Sequence, residues 1–131
     1  MTELERLAIE WECAKLIARY ANLVDAADWP AVAALYTEDA LFARPTNPAV
    51  PLIGREAILA AFLARPARTT RHVCSNVVIE VHSAEAATGT SAMVLYLPDQ
   101  GPLAGSFHDR FRLTSEGWRF AERRGSIVIG A

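Results

Sequence analysis

The sequence predicts an α+β chain: three helices near the N-terminus packed on a strongly curved, mainly antiparallel β-sheet that encloses a pocket. Apolar residues recur at helical steps up to about Ala64, then alternate at strand spacing from His72 onward. Proline and glycine punctuate the change at Pro45, Gly54, Pro66, Pro98, Gly101, Pro102 and Gly117. Segregated helices and strands mark the α+β class, and a long meander twisted over helices leaves a hollow between them.

The first helix runs from Thr2 to about Ala27, with Ile9, Cys13, Leu16, Ile17, Tyr20 and Val24 as its apolar stripe. Leu7, Trp11, Ala14, Ala18 and Ala21 form an apolar flank, so cover on more than one side is expected. Asp25 falls on that flank and ends in water or against a cavity. Asp28 is placed to cap a second helix over Asp28–Tyr36, with Pro30 in its tolerant first turn. Thr37–Asp39 breaks that helix, and Ala40–Arg44 reads as a short strand. Pro45–Pro51 holds three prolines. It cannot be a central strand, because proline donates nothing to the ladder, so a loop or lid is expected. A third helix follows Gly54, over Arg55–Ala64, and Pro66 ends it.

Four strands follow: His72–Ser83, Ala87–Leu97, Ala104–Thr114 and Trp118 to about Ile129, with a hairpin turn at Ser115–Gly117. In the third, Phe107, Asp109, Phe111 and Leu113 share one face, and His108, Arg110 and Arg112 the other.

One domain covering 1–131 is expected from the length. The formal charge of −2 supplies no basic stripe, so a nucleic-acid partner is disfavoured. There is neither a secretory pattern at the N-terminus nor an apolar run long enough for a bilayer, so the expected location is the cytoplasm, without a membrane partner. Cys13 and Cys74 lack the spacing of a disulfide frame or zinc knuckle. His72, His82 and His108 have no paired metal-ligand spacing, and no phosphate loop or nucleophile elbow appears. No metal and no cofactor is expected.

Several short motifs occur in a telling order: Tyr20-Ala21, Asp25-Ala26-Ala27-Asp28-Trp29, Tyr36-Thr37-Glu38-Asp39-Ala40, Gly54-Arg55-Glu56-Ala57-Ile58, Arg71-His72-Val73-Cys74-Ser75-Asn76, Gly105-Ser106-Phe107-His108-Asp109, and Gly117-Trp118-Arg119-Phe120 with Arg123. Together they resemble the SnoaL-like branch of the NTF2-like superfamily across nearly the whole chain. The resemblance implies an NTF2-like cone. Within the superfamily, the Asp25-x-x-Asp28-Trp29 corner and His72 look most like the scytalone dehydratase group, in which a helix aspartate and a strand-start histidine line the pocket. Val24 stands where that group has a tyrosine.

The candidate catalytic pair is therefore Asp25 and His72. A carboxylate accepting from one ring nitrogen fixes the tautomer and leaves the other free to move a proton. The structural alternative is a solvated helix-end aspartate and a histidine bonded to backbone. Asn76, Asp109, Tyr20 and Trp29 are candidate substrate-binding residues. Asn76 shares the face of His72 in a regular strand, or else holds a bulge. Asp109 is either a pocket carboxylate or half of a bridge to Arg123. Tyr20 and Trp29 either line the cavity or belong to the core, as do Tyr36, Phe62 and Tyr96.

The resemblance, taken with these residues, implies a cofactor-independent lyase or isomerase, dehydratase-like, acting on a small hydrophobic cyclic or aromatic hydroxy-ketone-type substrate. The alternative is a non-catalytic small-molecule-binding or accessory subunit, such as a ring-hydroxylating dioxygenase small subunit. On either reading the partner is a small hydrophobic molecule. A homodimer through the sheet is also expected, with Val77, Ile79 and Val81 as an exposed apolar stripe.

Overall fold

A capping box opens the first helix: the Thr2 hydroxyl accepts from Glu5 N–H at 3.1 Å, and Thr2 N–H donates to Glu5 Oε2 at 2.9 Å. In the computed structural model, which describes residues 1–130, this helix (α1) spans Glu3–Asp25. The order continues as α2 (Trp29–Ala33), β1 (Tyr36–Arg44), β2 (Asn47–Ile53), α3 (Arg55–Leu63), β3 (Arg71–Val81), β4 (Ala86–Leu97), β5 (Gln100–Thr114) and β6 (Gly117–Ile129). The strands form one open, six-stranded mixed sheet in the order β2-β1-β6-β5-β4-β3. Only the β1–β6 pairing is parallel; the other four are antiparallel. No helix among the described residues is long and apolar enough to cross a membrane.

The predicted stripe of α1 faces the core: Ile9, Cys13, Leu16, Ile17, Tyr20 and Val24 are all buried. The flank is not covered as expected, for Trp11 is 67% and Leu7 50% exposed, and of that flank only Ala21 is buried. α1 lies against β3, whereas α2 and α3 pack on each other and α3 on β1. The inward faces of the sheet add Phe42, Met93, Leu95, Phe107, Phe111 and Phe120 to the same core.

Three expectations are corrected. Tyr36 begins β1 rather than ending the second helix, and Thr37–Asp39 continue that strand rather than breaking a helix, because Tyr36 pairs in parallel with Phe120. Pro45–Pro51 is not a loop throughout: from Asn47 it forms β2, hydrogen-bonded to β1 alone. Proline is tolerated there because an edge strand has one row of donors with no ladder to serve. Only Pro45 and Thr46 turn, and Pro45 sits directly on Gly125, where any Cβ would collide with its ring.

The third correction concerns β3. Its register shifts between Ser75 and Val78, and Asn76 sits at φ 54°, a left-handed conformation that asparagine tolerates. One extra residue reverses the alternation. Before it, His72 and Cys74 point inward; after it, Ile79 and Val81 do, packed against the core. The stripe expected on the outer face is therefore largely internal. The outer face instead exposes Val73, Val78, Tyr96, Val128 and Ile129.

Candidate functional site

The site begins at the end of α1. Ala26 N–H donates to Asn22 O, Ala27 N–H to Val24 O and Asp28 N–H to Leu23 O, at 3.0–3.1 Å. These bonds close the last turn, with Ala27 in the left-handed region at φ 55°. Asp28 then caps α2, accepting from Ala31 N–H at 3.3 Å. The chain thus turns sharply just beyond Asp25, the last residue of α1. A carboxylate there opposes the negative end of the helix dipole, and the last turn has no basic residue to offset it.

The start of β3 supplies the compensation. Asp25 Oδ1 receives the Thr70 hydroxyl at 2.9 Å and His72 Nδ1 at 2.6 Å, and Oδ2 receives the His72 backbone N–H at 2.9 Å. Arg71 Nε stands 3.9 Å from Oδ2. The side chains of Asp25 and His72 are only 9% and 15% exposed, so the pair is sheltered from bulk water. A carboxylate only accepts, so with Asp25 ionised the proton of the ring must sit on Nδ1. Nε2 then carries a lone pair and has no protein partner among the described residues.

His72 lines a cavity of about 60 Å³ between the helices and the inner face of the sheet. Tyr20, Phe42, Phe62, Met93 and Phe107 form much of its apolar wall, and Arg123, Arg65 and Arg68 also reach it. Pro45 and Thr46 cover part of it, so the proline-rich segment meets the cavity only through its turn. About 150 Å³ is needed to hold benzene, so a ring-sized ligand requires some wall to move. Pro45–Thr46 and Arg65–Thr70 are the segments around it outside helix and strand.

Tyr20 is a cavity residue as well as a core residue. Its hydroxyl accepts from Tyr36 O–H at 2.9 Å, which leaves the Tyr20 proton available to a ligand. Burial raises the pKa of both phenols, so both stay protonated near neutrality. Trp29 does not line this cavity. It stacks on Phe62 at 5.0 Å and borders a neighbouring cleft with Val24, Arg65 and Arg68. Asn76 is exposed at the bulge and is absent from the lining, because the bulge carries it off the face of His72.

Asp109 points inward but stops short of the cavity. It is fully buried beside Arg123, with Oδ1 3.2 Å from Nε. The contact is not aligned as a hydrogen bond, so charge holds the pair together, and Arg123 Nη1 and Nη2 are left without partners. Burial pushes the Asp109 carboxyl up to about 6, against the opposing pull of Arg123. The Arg123 guanidinium lies 3.8 Å from the Phe107 ring centre, 4.4 Å from that of Tyr20 and 4.7 Å from that of Phe120. Only its bridging role was legible in the sequence, because its place in the cavity depends on β6 lying beside β5. His108 is exposed on the opposite face, and His82 is an exposed residue bonded to Thr88 Oγ1 at 2.8 Å.

The profile of the SnoaL-like domain family matches residues 5–124. The chain belongs to the SnoaL-like family. An NTF2-like protein with a cystatin-like fold from Novosphingobium aromaticivorans is 26% identical to this SnoaL-like chain; the match covers 98% of this chain and 87% of that one, with a TM-score of 0.85. A candidate scytalone dehydratase from the same organism is 21% identical over 98% of this chain and 89% of its own, also at 0.85. A type 2 hexachlorocyclohexane dehydrochlorinase is 19% identical over 96% and 89%, with a TM-score of 0.80. At 21% and 19% identity, the last two show the NTF2-like cone and nothing of chemistry. A search of curated proteins found no match for this SnoaL-like chain.

Proposed function

We propose that the protein is a cofactor-independent lyase or isomerase that moves a proton next to a carbonyl, with dehydration of a cyclic hydroxy-ketone as the favoured reaction. The observation that carries it is the sheltered Asp25–His72 contact of 2.6 Å, which leaves Nε2 without a protein partner among the described residues on a side chain that lines the cavity. The SnoaL-like and NTF2-like family includes isomerases and dehydratases.

In this reading Nε2 of His72 takes the proton α to the carbonyl, and the C–H electron pair becomes an enolate. Arg123 and the Tyr20 O–H stabilise the oxygen that gains charge, in a site where low dielectric strengthens both interactions. The imidazolium, held by ionised Asp25, returns the proton to the β-hydroxyl. The C–O bond breaks, water leaves, and the carbon–carbon double bond forms as His72 regains its neutral state. In an isomerase the same proton returns to carbon instead.

Exchange of α-protons for deuterium, followed by NMR on a panel of cyclic ketones and β-hydroxy-ketones, reads the first step whatever the product. His72→Asn should slow it by at least about a hundredfold, the scale of a general base. Equal exchange in the variant refutes the reading.

A second reading is a non-catalytic binding or accessory protein; the cavity's volume of about 60 Å³, too small for a ring as it stands, favours the accessory form. It predicts no α-proton exchange in the wild-type protein. Self-association through the outer face of the sheet belongs to either proposal. Val73, Val94, Ala104 and Ile129 share one register row there, and a monomer by sedimentation at micromolar concentration would exclude it.

A further inference from the structure

The cavity's wall is apolar but its charge is one-sided. Arg65, Arg68 and Arg123 line it, and no carboxylate does. Arg123 has Asp109 behind it and two unpartnered nitrogens, although it is completely buried. Arg65 is half-buried, with its guanidinium 4.4 Å from the centre of the Phe62 ring. Neither Arg65, Arg68 nor the nearby Arg44 takes part in any ion pair among the described residues. Arg44 Nε is also buried without a partner. Burial, together with the like charges of Arg68 and Arg44, depresses the Arg65 guanidinium below its ordinary range.

An arrangement of this kind is costly in the empty protein. The buried Arg123 and half-buried Arg65 guanidinium groups, taken from water, need a counter-charge or hydrogen-bond acceptors; Arg68 is exposed, and its charge repels that of Arg65 at the same rim. Both deficits would be relieved by a single ligand feature. From the unpartnered guanidinium groups around an apolar cavity that contains no acid, we infer that the ligand is an apolar ring compound bearing a carboxylate, which Arg65 and Arg68 hold at the rim.

The planar guanidinium fork matches a carboxylate in two parallel hydrogen bonds. Arg123, deeper and backed by Asp109, is left to the carbonyl oxygen at the reacting end of the same molecule. The two rim arginines also lie on the Arg65–Thr70 segment after α3, outside helix and strand. This inference rests on the proposal that the cavity binds an apolar ring, but it requires no turnover.

The test is calorimetric titration of the full chain with 2-naphthoate and 2-naphthamide, which match in size and differ in charge. At about pH 7.5 the acid is ionised. The wild-type protein should prefer naphthoate by roughly tenfold or more, as expected for a charge-assisted pair over a neutral one. Arg65→Gln combined with Arg68→Gln should reduce the preference to about twofold or less. The corresponding double lysine variant should fall between the two, since the charge remains but the bidentate fork is lost. Thermal melts of both variants report that they are folded. Equal binding of acid and amide overturns the inference, as does a preference that survives the glutamine variant. Absence of binding by either compound up to about 1 mM overturns it too. Loss of α-proton exchange in the wild-type protein with the naphthoate preference intact would remove the catalytic proposal and leave this one standing.

Discussion

Asp25→Asn tests the centre of the site with the smallest change in shape. Three donors converge on the carboxylate: the Thr70 hydroxyl, His72 Nδ1–H and the His72 backbone N–H. An amide offers one oxygen and one NH₂ group. The backbone N–H cannot turn away, so the amide oxygen must remain at the Oδ2 position and the NH₂ must occupy that of Oδ1. Nδ1 then becomes an acceptor and the ring proton moves to Nε2. Each of the three bonds falls from charge-assisted to neutral or is rearranged, a loss of about 1 kcal/mol apiece. Removing a negative charge from the helix C-terminus returns about 0.5 kcal/mol. The net loss is roughly 2–3 kcal/mol, and in a chain of this size Tm should fall by roughly 10 °C. Nitrogen-15 NMR of the imidazole, with His72 assigned from a His72→Gln spectrum, reads the tautomer directly. Nδ1–H should dominate in the wild-type protein and Nε2–H in the variant. A comparable carboxylate-to-amide change traps a serine protease in the wrong tautomer at a cost of about ten-thousandfold, so α-proton exchange should nearly vanish. Retention of Nδ1–H in the variant, or a Tm within about 2 °C of wild type, would refute the reasoning.

Two further predictions follow from the corner and the core. Ala27→Gly removes the penalty of a left-handed alanine at φ 55° and should stabilise the fold by about 1 kcal/mol in urea denaturation, without moving Asp25. Asp109, raised from 3.8 to about 6, binds its proton more tightly when folded than when unfolded. Its contribution is therefore fully present below the unfolded value and is lost as pH rises through about 6. The stability advantage of wild type over Asp109→Asn should accordingly shrink between about pH 4 and pH 6.5 and level off above that, and a gap that widens with pH would contradict the assigned direction.

The periodicity of α1 was legible because one helix face answers to one core, and six residues at three- and four-residue steps leave no other way to turn. The Asp28–Pro30 corner was equally legible, since capping is a local matter. The edge strand β2 was not: its prolines exclude a central position, but whether an edge is vacant depends on β1 having β6 on its other side. The bulge at Asn76 was legible only as one of two alternatives, since a regular alternation fits the same residues. Its two consequences, the removal of Asn76 from the cavity and the inward turn of Ile79 and Val81, are read only from register.

Local spacing and side-chain chemistry by themselves determined the α+β class and the buried stripe of α1, and the family resemblance singled out a carboxylate and an imidazole able to act together. Tertiary structure alone decided that these two meet at 2.6 Å across forty-seven residues of chain, and that Arg123 and Tyr20 share their cavity. The division has a physical cause. Caps and periodicities are set by neighbours a few bonds away, whereas a site assembled from a helix end and separate strands exists only once the sheet's order and register have brought them together.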